Sequence, residues 1–248
     1  MCAIIGWNGK ISNALLRALY RNAAEYGPHA AGLSYRTDDG DLKTFKRAVH
    51  PDIFLRNNNH RVARAARFSV GFGHTRYGTH GNNADSNNAH PFTFSKEGKT
   101  IVFAHNGVIR NYHSILPSAV VDSEVFGPLI AARDTTPAKG SIGLIWFERP
   151  NNDADWQMFV YRRGQNLSAS HLILTTGENA ILIHSRRCII DDNYAALRNV
   201  SHLSKITIPE GTAYEVRPTG LHPVWADTSV EAPEQEETVC NLATYRGG

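Results

Sequence analysis

The chain opens Met-Cys-Ala-Ile-Ile-Gly, and this stretch constrains the rest more than any other. Ala3 to Trp7 is a short apolar run, closed by Asn8-Gly9, and reads as a buried first strand. A strand starting at Ala3 holds residue 2 at a fixed strand end. Residue 2 is a cysteine, and its small side chain permits removal of Met1, which would leave a thiol and a free α-amine on one residue. A free α-amine titrates at roughly 7.7–8.0 and a thiol near 8.5, so the two form a nucleophile with a built-in base. Taken alone, position 2 reads better as one that simply tolerates a cysteine. The remaining residues decide between these readings.

A chain of 248 residues can bury a sizeable core as one large domain or two small ones. No run approaches the roughly 20 apolar residues that span a bilayer, and the N-terminus lacks a basic region followed by an apolar stretch. Three cysteines, Cys2, Cys188 and Cys240, are far apart and odd in number, which does not make a disulfide framework. The expected setting is therefore the reducing cytoplasm, where a thiolate can work. Net charge is only +3. The one basic cluster, Arg61, Arg64 and Arg67, has helical spacing and reads as a solvated helix face. No nucleic-acid or membrane partner is expected.

Ser12 is a good N-cap for a helix to about Tyr26, with Leu15, Leu16, Leu19 and Ala23 on one face and Gly27-Pro28 as its stop. Ala31–Tyr35 and Leu42–Phe45 read as a hairpin around Asp38-Asp39-Gly40. Short helices are expected at Pro51–Leu55 and Val62–Ala66. A strand at Phe68–His74 runs into a long polar loop that reaches Pro91. Thr100–His105 is a strand ending at Asn106-Gly107. Ser123–Ala132 reads as a helix capped by Ser123 or Asp122. From Ser141 to Arg217 at least five strand-like runs follow, as in a mostly antiparallel sheet system. The expectation is one α+β domain over residues 1–225, followed by a loosely ordered acidic tail over residues 226–248.

Four polar clusters fall at strand ends or in loops of the first half: Cys2; HTRYGTHG at His74–Gly81; NAHPF at Asn88–Phe92 with HNG at His105–Gly107; and DSE at Asp122–Glu124. In this order, and together with GPHAAGL at Gly27–Leu33, GSIGLIWF at Gly140–Phe147 and TGENAILIHS at Thr176–Ser185, the chain resembles the glutaminase domain of class II glutamine amidotransferases. The resemblance runs from Met1 to about Arg217 and implies the four-layer αββα sandwich of N-terminal-nucleophile hydrolases. It implies glutamine as substrate, with Cys2 as nucleophile. Arg76, whose planar fork of donors suits a carboxylate, is then the α-carboxylate clamp, with Thr79 and His80 alongside. Asp122 is implied as partner of the α-ammonium. The side-chain amide of Asn106 and the backbone N–H of Gly107 are implied as the oxyanion donors; each such donor is typically worth about 2.7–4 kcal/mol.

One departure is Tyr26-Gly27, where many members carry Arg-Gly. No acceptor domain is recognisable after Arg217, so ammonia is expected to serve a separate synthase chain. A hydrolase of some other γ-glutamyl amide, and a catalytically silent binding protein, stay open as alternatives. No cofactor or metal is expected: His74, His80, His90 and His105 lack compact ligand spacing and read as hydrogen-bonded structural histidines. Cys188 reads as a core residue.

Overall fold

Residues 2–151, 154–185, 197, 199–227 and 237–240 are described by the computed structural model. The expectation for Cys188 lies outside them, as does most of the acidic tail.

The first strand, β1 (Ala3–Asn8), is buried on both faces, which is why its sequence lacks polar alternation. Ala3, Ile5 and Trp7 pack under helices, while Ile4 points to the opposite side. The helices are α1 (Asn13–Ala24), α2 (Pro51–Asn57) and α3 (Asn59–Arg67). Ser12 caps α1 as expected, its hydroxyl accepting the Leu15 N–H at 3.0 Å. The other strands are β2 (Ala30–Arg36), β3 (Leu42–Arg47), β4 (Val70–Arg76), β5 (Phe92–Lys96), β6 (Lys99–Ile109), β7 (Gly140–Arg149), β8 (Gln157–Arg163), β9 (Ser168–Leu174), β10 (Asn179–His184), β11 (Val200–Thr207), β12 (Thr212–Arg217), β13 (Gly220–Ala226) and β14 (Glu237–Cys240). Two further helices, α4 (Tyr112–Ile115) and α5 (Phe126–Ala132), follow β6.

One sheet has the order β14-β11-β9-β10-β1-β4-β2-β3 and the other β13-β12-β8-β7-β6-β5, antiparallel throughout. Three hydrophobic layers separate the four structural ones. Leu16, Leu19, Tyr20 and Phe54 fill the space between α1–α3 and the first sheet. Ile4, Phe72, Val102, Ile145 and Ile183 lie between the sheets. Phe103, Phe126, Ile130 and Trp146 join the second sheet to α5. This is the αββα sandwich that the resemblance implied.

Differences from the sequence expectation have local causes. Asn106-Gly107 does not end a strand: β6 continues to Ile109, with Gly107 at φ 148° inside it. Neither Ser123 nor Asp122 caps a helix there. Glu124 instead accepts the Val121 N–H at 2.8 Å, starting a 3₁₀ turn (Asp122–Val125) that leads into α5. Glu237–Cys240, placed in the loose tail, pairs with Ile206–Leu203 as an edge strand. Among the described residues no helix is long and apolar enough to cross a membrane.

Candidate active site

β1 and β4 pair so that Ala3 faces Thr75 and Ile4 faces His74; continuing that register brings Cys2 level with Arg76. Two hydrogen bonds to Ser185, just past β10, fasten the strand at this end. Its hydroxyl accepts the Ile4 N–H at 3.0 Å, and its own N–H donates to the Ile4 carbonyl at 3.2 Å. Cys2 Sγ accepts the Tyr77 N–H at 3.3 Å and lies 3.6 Å from the Tyr77 carbonyl oxygen. The residue as a whole is half-buried, yet the protein packed around the sulfur pushes the thiol pKa up. The Tyr77 N–H, the chain's amino terminus and Arg76 pull it down, and Asp122 raises it.

Arg76, Thr79 and His80 belong to the turn that leaves β4. The Arg76 side chain is buried, and it donates to Asn83 Oδ1 at 2.9 Å and to the His80 carbonyl oxygen. Two arms of its fork therefore shape the loop, leaving its remaining donors for other partners. Burial lowers its pKa, offset by Cys2 and Asp122. His80 Nδ1 lies 3.1 Å from the Thr79 hydroxyl and 3.6 Å from Asp122 Oδ1. Asp122 is buried, and its Oδ2 accepts the Ile109 N–H at 2.9 Å.

Strand alternation places Asn106 on the face of β6 that carries Val102 and Ala104 into the inter-sheet core. Cys2 and Arg76 continue the matching inner faces of β1 and β4, set by Ile4 and Phe72. Gly107 must be glycine: a β-carbon there would lie 1.9 Å from Ser141 O and 2.7 Å from His105 Nε2. His105 points the other way, its Nδ1 3.0 Å from Ser123 Oγ and its Nε2 3.3 Å from Ser141 O. His74 Nε2 meets the His105 carbonyl at 3.1 Å. Burial holds His74 down to about 3 and lowers His105 and His90 too, so all three rings are neutral near pH 7. His90 departs from the expectation of a hydrogen-bonded histidine. Both of its ring nitrogens are buried without a protein partner, and its ring lies 4.0 Å from that of His74.

The structure thus joins Cys2 to Tyr77, Arg76 to His80, and His80 to Asp122, with Asn106 on the inward face of the neighbouring sheet. Sequence reasoning passed over Tyr77, Asn83, Ser185 and the Ile109 N–H. Tyr77 and Ser185 lie within HTRYGTHG and TGENAILIHS, and the group that matters at Tyr77, as at Ile109, is backbone.

An αββα sandwich with a cysteine at the head of an inner strand is the fold that the resemblance to N-terminal-nucleophile hydrolases implied. The model of the family described as "Glutamine amidotransferases class-II" matches residues 60–131. A glutamine–fructose-6-phosphate aminotransferase of Thermus thermophilus is 28% identical over 258 aligned positions, spanning 95% of this chain and 40% of its own. One from Fusobacterium nucleatum is 37% identical over 119 residues, 46% of this chain and 18% of its own. The chain therefore spans less than half the length of these curated relatives. Among solved structures, the glutamine phosphoribosylpyrophosphate amidotransferase of B. subtilis superposes on 92% of this chain and 50% of its own. Its TM-score is 0.67 at 16% identity, a likeness of fold. The chain is thus similar to the class II glutamine amidotransferases, with the family match confined to residues 60–131.

Proposed function

We propose that this domain hydrolyses the side-chain amide of glutamine, with Cys2 as nucleophile once Met1 has been removed. The observation that carries the reading is the seat of the Cys2 thiol: fixed at a strand end, against a backbone donor, with Arg76 and Asp122 both close enough to act on its charge. The freed α-amine takes the thiol proton, directly or through a water, and the sulfur bonds to the amide carbon. The resulting oxyanion is received by the Asn106 amide and the Gly107 N–H. The carbon–nitrogen bond breaks, ammonia leaves with the proton, and water hydrolyses the γ-glutamyl thioester to glutamate. Arg76 clamps the substrate α-carboxylate with the donors its loop contacts leave unused, Thr79 and His80 line that end, and Asp122 pairs with the α-ammonium.

The curated relatives are named as aminotransferases, and they extend well beyond the matched region. We infer that the ammonia released here serves amide-nitrogen transfer by a separate synthase chain. Glutamate release from glutamine, followed alongside the intact mass of the protein, tests the reading. The expected result is a mature protein lacking Met1, turnover in the wild type and none in Cys2→Ala. Turnover that survives in Cys2→Ala overturns it, and cleavage of other γ-glutamyl amides but not glutamine replaces the substrate.

A further inference from the structure

His29 touches three consecutive residues of the loop that receives the thiol. It sits just ahead of β2, half-buried. Its backbone N–H donates to the Arg76 carbonyl at 3.0 Å, extending the β2–β4 ladder by one residue. Its Nδ1 accepts the Gly78 N–H at 3.0 Å. Its ring lies against that of Tyr77, with centroids 4.9 Å apart at 37°. A backbone N–H can only donate, so Nδ1 bears a lone pair and the neutral ring carries its proton on Nε2. Held between these contacts is a peptide N–H that reaches the nucleophile, that of Tyr77.

We propose that His29 is a positioning residue for the nucleophile: it latches residues 76–78 so that the Tyr77 N–H stays aimed at Cys2 Sγ and stabilises the thiolate. A hydrogen bond to an ionised acceptor is roughly twice as strong as one between neutral groups, so a fixed donor favours the thiolate over the thiol. Without the latch, a loop containing Gly78 has freedom to turn that N–H away. The charges acting on the sulfur are the amino terminus, Arg76 and Asp122. Arg76 is held independently through Asn83 and His80, and Asp122 through Ile109. Loss of the His29 ring therefore acts first on the Tyr77 donor.

This inference rests on Cys2 being the nucleophile, but its test needs no glutamine. His29→Leu keeps apolar packing against Tyr77 and removes the acceptor, whereas His29→Asn keeps an acceptor and removes the ring. The rate of iodoacetamide alkylation of the Cys2 peptide, followed by mass spectrometry across pH, gives the apparent thiol pKa in each. His29→Leu is expected to raise that pKa by about one unit and slow alkylation near neutrality about tenfold. His29→Asn is expected to alkylate within about twofold of wild type, as one acceptor replaces another. Wild-type behaviour of His29→Leu overturns the proposal, as does equal impairment of both variants, which marks packing alone. The expected alkylation pattern in a protein that does not hydrolyse glutamine supports the latch and rejects the substrate.

Discussion

The carboxylate of Asp122 accepts the backbone N–H of Ile109 at 2.9 Å. One oxygen of the group proposed to receive the substrate ammonium is thus tied to the strand end that carries Asn106 and Gly107. The other oxygen faces His80 at 3.6 Å. The proposed ammonium partner and the proposed oxyanion donors are mechanically linked through this contact.

That coupling separates two substitutions. Asp122→Asn retains an oxygen for Ile109 but loses the charge, and is expected to weaken transition-state binding of glutamine by about 1.5–3 kcal/mol with little effect on unfolding. Asp122→Ala also leaves a buried N–H unpaired and is expected to lower stability by about 1–3 kcal/mol. Steady-state kinetics and urea titration of both variants check this; a stable Asp122→Ala would show that Ile109 finds another acceptor.

Gly107 sits at φ 148° with the Ser141 carbonyl where a β-carbon would go. Gly107→Ala forces β6 away from β7, and is expected to cost about 1–3 kcal/mol of stability through backbone strain alone. Turnover should fall further, because the moved peptide is the proposed oxyanion donor. The readout is the ratio of kcat loss to stability loss. A variant that folds less well but turns over normally removes Gly107 from the chemistry.

Much of this architecture was legible in the residues. β1 could be read because both its faces are buried, which leaves an unbroken apolar run. The strands that escaped reading have mixed surroundings. β5 and β13 lie at sheet edges, with Thr93, Ser95 and Lys96 exposed on one and Pro223 and Val224 on the other, β11 mixes Ser201, His202 and Lys205 with apolar residues, and β14 falls in an acidic segment. At the site, Cys2, Arg76 and Asp122 could be picked out because their chemistry resides in side chains. The Tyr77 N–H that meets the sulfur has no side-chain signature. Nor does sequence show that Arg76 spends two arms on Asn83 and His80, or that Asp122 turns from helix capping to Ile109.

Ser185 links the mount of the nucleophile to a distant part of the chain. Ser185→Ala leaves the buried Ile4 N–H without its acceptor, and is expected to destabilise by about 1–3 kcal/mol. Because Ile4 is two residues from the thiol, alkylation of Cys2 should also change, whereas a substitution elsewhere in the core with equal stability loss should not affect it. Comparing alkylation at matched stability distinguishes a mount from general packing.

The three neutral histidines beneath the site make stability fall in acid. His74, His90 and His105 are all buried, and burial is the leading cause that depresses each; Arg76 adds to it for His74 and His90, and Lys46 for His90. Asp122 works in the opposite direction on His105. In the unfolded chain these rings titrate near 6.5, so below that pH the unfolded state binds protons that the folded state refuses. Their contribution is complete above about pH 6.5 and is lost as pH falls toward the folded values, with His74 at about 3. Each ring adds up to about 1.4 kcal/mol of lost stability per pH unit in that window. Urea unfolding at pH 7 and pH 5 should show the slope, and His90→Phe should flatten it by removing one titrating ring. The same variant should be no less stable than wild type at pH 7, because it replaces two buried nitrogens that have no protein partner with carbon. An unchanged acid slope in His90→Phe would show that His90 takes up its proton in the folded protein as readily as in the unfolded chain.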